Sequence, residues 1–60
     1  MIITGQSTIE DIQRADEFRD VEWHWNTVNG LFNVLDYLKK SGKMCEIFVD
    51  NDKQICYKFK

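Results

Sequence analysis

The clearest pattern along the chain lies in residues 27–42, where Val28, Leu31, Phe32, Leu35 and Leu38 fall at the i, i+3, i+4, i+7 spacing of one helix face. Asn29, Asn33, Asp36 and Lys40 lie opposite, so the spacing predicts a core-facing helix. Adding Val34 widens the apolar arc to roughly 160°, with Tyr37 just beyond its edge. That is broader than one flat sheet needs, and the extra width at Val34 and Tyr37 marks where a second subunit would pack. Asn26 or Thr27 can cap the free amides at the start, Lys39 and Lys40 suit the negative end of the helix dipole, and Gly42 supplies a left-handed stop. Gly30 costs about 1 kcal/mol relative to Ala and could place the start later.

A different period holds in residues 20–26, where Val21, Trp23 and Trp25 alternate with Glu22, His24 and Asn26 as in a half-buried strand. Residues 1–4 form a short β-branched run closed by Gly5, which predicts a first strand. From Ser7 the order Ser-Thr-Ile-Glu has capping-box form and opens a helix over about residues 8–18. Its apolar residues Ile9, Ile12, Ala15 and Phe18 are all three apart and drift around the axis, while Glu10 and Arg14 are spaced for a weak i,i+4 pair.

Residues 43–49 and 54–59 predict a hairpin across Asp50, Asn51, Asp52 and Lys53, with Asn and Asp tolerating the positive φ of a tight turn. An even loop would put Met44, Glu46 and Phe48 on the face of Ile55, Tyr57 and Phe59. An odd loop puts Cys45, Ile47 and Val49 there instead. The odd register gives one wholly apolar face and is preferred, and it sends Cys45 and Cys56 to opposite faces, out of disulfide reach. In either register neither sheet face is wholly polar, so with helices covering one side Met44, Phe48 or Tyr57 could remain exposed on the other. The expected fold class is α+β: a small single-layer antiparallel or mixed sheet with two helices, in the order β-α-β-α-β-β, over residues 1–60 as a single compact domain.

Length sharpens this picture, because a chain of 60 residues buries only about 60% of the surface its unfolded form exposes. Stability then calls for a disulfide, a metal or a second subunit. With no signal peptide and no membrane-spanning run, Cys45 and Cys56 read as reduced cytosolic thiols, and together with His24 they fall one ligand short of a structural zinc. A cytoplasmic homodimer without cofactors is the expectation. No tail beyond Lys60 is expected to carry a separate function.

The net charge is −2, unlike a general nucleic-acid binder. Its distribution is bipolar: residues 1–38 carry seven acids against Arg14 and Arg19, and residues 39–60 carry six lysines against Glu46, Asp50 and Asp52. Such a dipole could orient a partner or a second copy. Ile, Lys, Asn, Phe, Tyr and Met are abundant, Ala occurs once and Pro never, a bias that fits a GC-poor bacterium, its phage or a mobile element.

For catalysis the only His–Cys combination is His24 with Cys45 or Cys56, which reads more simply as a surface histidine and two packing thiols. No glycine-rich phosphate loop, HExxH helix or Gly-x-Ser-x-Gly elbow is present, and no enzyme is expected. The last half of the chain, a helix followed by Lys-Ser-Gly-Lys and a hairpin with Lys53, Lys58 and Lys60, resembles a winged helix. That resemblance implies a DNA-binding regulator as the alternative function, although Asp36 and the C-terminal position of its cations suit base contact poorly. Glu10, Asp11, Asp16, Glu17, Asp20 and Glu22 could mimic a phosphate rail, but Arg14 and Arg19 interrupt it.

The reading preferred is a small protein-binding module, a homodimeric inhibitor or modulator of a larger host protein, of phage or mobile-element type. The residues expected at the partner or dimer surface are Trp23, Trp25, Val34, Tyr37, Phe48 and Tyr57, with Glu10, Asp11, Asp16 and Glu17 as an acidic rim. No nucleic acid, membrane or metal is expected as a partner.

Overall fold

A computed structural model describes residues 1–59. It contains a three-stranded antiparallel sheet and two α-helices, an α+β fold. Strand β1 (Ile2–Ile3) leads into α1 (Ile9–Arg14), a 3-10 turn (Asp16–Phe18), α2 (Trp25–Ser41) and the hairpin β2 (Cys45–Val49) and β3 (Ile55–Phe59). The sheet order is β1-β2-β3, and the helical layer covers one face of it. The seam is built from Ile3, Cys45 and Ile47 of the sheet, Ile12 and Phe18, and Leu31 and Leu38 of α2, all fully buried.

The order expected from sequence holds except at residues 20–26, which form no strand. Alternation there survives only in part: Val21 is buried and Trp23 half-buried, but Trp25 is 74% exposed and already helical. A strand needs a ladder partner for its main chain, and among the described residues none lies beside this stretch. Instead Trp23 Nε1 donates to the Phe18 carbonyl at 3.3 Å, so the indole ties the connection to the end of the 3-10 turn.

α2 therefore starts earlier than expected, with His24 at the N-cap position in place of Asn26 or Thr27. The Thr27 hydroxyl meets His24 Nδ1 at 3.3 Å. Gly30 sits inside the helix and does not delay its start, whereas Gly42 ends it at φ +69 with its amide donating to the Leu38 carbonyl at 2.9 Å.

α1 is shorter than expected, because its three-residue spacing cannot hold one stripe over three turns. The chain breaks to an extended conformation at Ala15 and restarts as a 3-10 turn, whose three-residue period carries Phe18 into the core beside Ile12. The cap is Thr8, one residue later than the capping-box reading: the Asp11 amide donates to Thr8 Oγ1 at 3.2 Å, while Ser7 Oγ accepts from the Thr4 amide at 3.0 Å. Among the described residues the Glu10–Arg14 pair does not form.

The hairpin adopts the odd register, with Ile47 opposite Tyr57 and Phe48 opposite Cys56. The positive φ falls on Lys53 (φ 60), not on an Asn or Asp. Asp50 holds the turn instead: its Oδ1 accepts from the Asp52 amide at 2.9 Å and the Gln54 amide at 3.0 Å. No helix among the described residues is long and apolar enough to cross a membrane.

Candidate protein-interaction surfaces

Among the described residues, three apolar surfaces remain uncovered. The first lies on α2, where Trp25 and Phe32 are 74% and 63% exposed. Seven residues bring a helix round to within about 20° of its starting direction, so these rings share one flank some 10 Å apart. Phe32 was expected in the core. The helix is turned instead so that Leu31, Leu35 and Leu38 meet the sheet and Val34 packs half-buried against the core. The six-residue α1 covers only part of this flank, leaving a cleft of about 480 Å³ in which Phe32 faces Thr8 and Ile9, with Glu10, Asp36 and Lys39 around it.

The second surface is the sheet face turned away from the helices. Strand alternation puts Ile2, Glu46, Phe48, Cys56 and Lys58 on it. Ile2 and Phe48 are nearly half exposed, as is Met44 at the mouth of β2. Cys56 Sγ donates to Asp50 Oδ2 at 3.6 Å, and partial burial, this hydrogen bond and the carboxylate's charge push its thiol pKa up. Asp50 in turn is held below the usual carboxylate range, chiefly by the Gln54 amide. Cys45 is fully buried on the other face, and burial raises its pKa as well, so neither thiol is activated and both are free.

The third surface runs along the outer margin of β3. Tyr37 and Phe59 are both about half exposed and meet edge to face, ring centres 5.6 Å apart. Toward the hairpin tip, a cleft of about 510 Å³ opens between Thr27 and Gly30 of α2 and Ile55 and Tyr57 of β3, with Asp20, Glu22 and Asp52 at its mouth. Tyr57 is half-buried, and burial raises its pKa.

The sequence-derived set is thus divided among these surfaces. Trp23 is an internal anchor, Trp25 belongs to the α2 flank, Phe48 to the outer sheet face, and Val34, Tyr37 and Tyr57 to the β3 side. Glu10, Asp11, Asp16 and Glu17 are exposed, and Glu17 meets the N-terminal ammonium at 3.2 Å. Sequence reading missed Ile2, Phe32 and Phe59. The i, i+7 spacing of Trp25 and Phe32 was a usable signal for the α2 flank. Lys60, one of the cations of the winged-helix resemblance, lies outside the described residues. No group of three or more His, Cys, Asp or Glu side chains able to hold a metal ion occurs among the described residues.

Compared with known protein families, with curated proteins and with solved structures, the chain matches none.

Proposed function

We propose that the protein is a small protein-binding module, a homodimeric inhibitor or modulator of a larger host protein of the kind phages and mobile elements encode. The observation that carries this reading is the exposure, among the described residues, of seven large apolar side chains, Trp25 and Phe32 most of all, on a domain of this size. Trp is the residue most often found at the energetic centre of protein interfaces, and a Trp–Phe pair on a rigid helix presents such an anchor without ordering a loop. The cations Lys39, Lys40 and Lys43 gather at the C-terminal end of α2, and the half that would enter a DNA groove carries none, which favours a protein partner over DNA.

The test is capture from a host lysate by the intact chain, compared with Trp25→Ala and Phe32→Ala. Both side chains are exposed, so these variants are expected to fold normally and to lose the captured protein, each alanine weakening it tenfold or more. Equal capture by wild type and both variants refutes the assignment of this flank. A DNA mobility shift at low salt that vanishes at high salt would support the winged-helix alternative instead.

A further inference from the structure

The sheet has one long open edge. Ile47 exchanges both main-chain bonds with Met1 on the β1 side: its amide donates to the Met1 carbonyl at 2.8 Å, and its carbonyl accepts from the Met1 ammonium at 3.0 Å. Main-chain groups of successive strand residues point to opposite neighbours, so Glu46 and Phe48 turn toward β3, where Lys58 and Cys56 are their partners. Ile55, Tyr57 and Phe59 must then aim their N–H and C=O groups away from the sheet, and among the described residues nothing bonds them. Natural edges are usually blunted by shortness, proline or a bulge. β1, at the other margin, is two residues long, whereas β3 has five residues, no proline and an unbroken ladder.

We infer that β3 pairs antiparallel with β3 of a second copy, Tyr57 opposite Tyr57 of the partner subunit. The inference deepens the homodimer part of the reading above and rests on it. About the Tyr57 axis, Ile55 faces Phe59 of the partner subunit and all three outward residues on each strand exchange bonds, about six in total. Shifting the axis to Cys56 would set Phe59 against the partner's Lys53, which is left-handed and cannot continue a ladder. The chosen register also extends the exposed Tyr37–Phe59 pair onto Ile55 of the partner subunit.

Charge selects a second copy as the occupant. α2 runs alongside β3 in the same direction, its first turns lining the cleft at the hairpin tip and its Tyr37 resting on Phe59. The tip end of this edge therefore carries Asp20, Glu22, Asp50 and Asp52 against Lys53 and His24. The far end carries Lys40 and Lys58, with Asp36 paired to Lys40 at 3.2 Å. A two-fold axis between antiparallel strands sets each acidic end beside the basic end of the other subunit, so the bipolar charge becomes self-complementary.

In this arrangement Lys58 faces Cys56 of the partner subunit as a non-hydrogen-bonded pair, Cα atoms about 4.5 Å apart and within disulfide reach. Mild oxidation of Lys58→Cys is expected to give a covalent dimer that the added change Cys56→Ser abolishes. At concentrations where the chain is dimeric, the amides of Ile55, Tyr57 and Phe59 are expected to exchange at least tenfold more slowly than on dilution. Phe59→Pro, which removes one outward amide and spares the β2 ladder, is expected to stay folded and become monomeric.

A dimer in which those three amides gain no protection, or which Phe59→Pro leaves intact, overturns the edge pairing while sparing the homodimer. A covalent dimer of the unsubstituted chain through Cys56 overturns the register. A monomer at every concentration overturns both the pairing and the homodimer, and leaves target capture to be judged by Trp25 and Phe32.

Discussion

Single residues decide how tightly the layers of this small fold approach one another. A Cβ on Gly5 would come within 2.7 Å of Lys39 Cα and 2.9 Å of the Lys39 nitrogen, so only glycine lets the β1–α1 connection lie against the backbone of α2. Gly5→Ala is expected to cost about 1–3 kcal/mol, the range for overpacking, read as a lower urea midpoint at unchanged slope. Gly30 is the opposite case, a helix-interior glycine with nothing within 4 Å of a would-be Cβ. Gly30→Ala should raise stability by about 0.5–1 kcal/mol in the same assay.

The thiols are predicted to separate cleanly at pH 8. Cys45 should resist alkylation until the chain is unfolded. Cys56, half-exposed but bonded to Asp50, should react more slowly than a thiol in a short peptide and faster once Asp50→Asn removes the charge. Much of this residue-level detail was closed to sequence reading, since neither the closeness of Gly5 to α2 nor the thiol–carboxylate contact follows from any local period.

At the scale of elements, legibility followed locality. The stripe of Leu31, Leu35 and Leu38 is written within one helix, and the apolar set Cys45, Ile47, Val49, Ile55 and Tyr57 is written within one hairpin, so both the helix and the odd register were readable. Residues 20–26 carry an alternation as regular as any strand, but a strand also requires a neighbour, and alternation cannot say whether one exists. Val21 and Trp23 use the same period to pin an extended connector, and the helix claims Trp25. Phe32 eluded the sequence for a related reason: helical spacing names the residues of an arc but not how the arc is turned against the sheet.

The hairpin turn depends on one carboxylate. Because Asp50 titrates below its ordinary value in the folded state, its contribution is fully present above that ordinary value, near pH 4, and is lost as pH falls through the folded value. Wild type should therefore lose stability on acidification below about pH 4 in urea titrations, and Asp50→Asn should flatten that acid limb. In the helical layer, Phe18→Ala removes a fully buried ring at the close of the 3-10 turn and is expected to cost about 3–5 kcal/mol. That is enough to unfold much of a domain with so small a core at 37 °C, as circular dichroism would show.

For the molecule as a whole, the central fact is a mismatch between core and surface. Among the described residues, nine buried ones make the core, while seven large apolar side chains stay in contact with water. They are divided among the flank of α2, the outer sheet face and the margin of β3, which is more surface than a monomer needs and which we read as room for a second copy and a target together. The most direct measurement is sedimentation equilibrium of the intact chain from micromolar to several hundred micromolar. The account predicts a reversible species at twice the 7.2 kDa chain mass. A single species of 7.2 kDa across that whole range would contradict it.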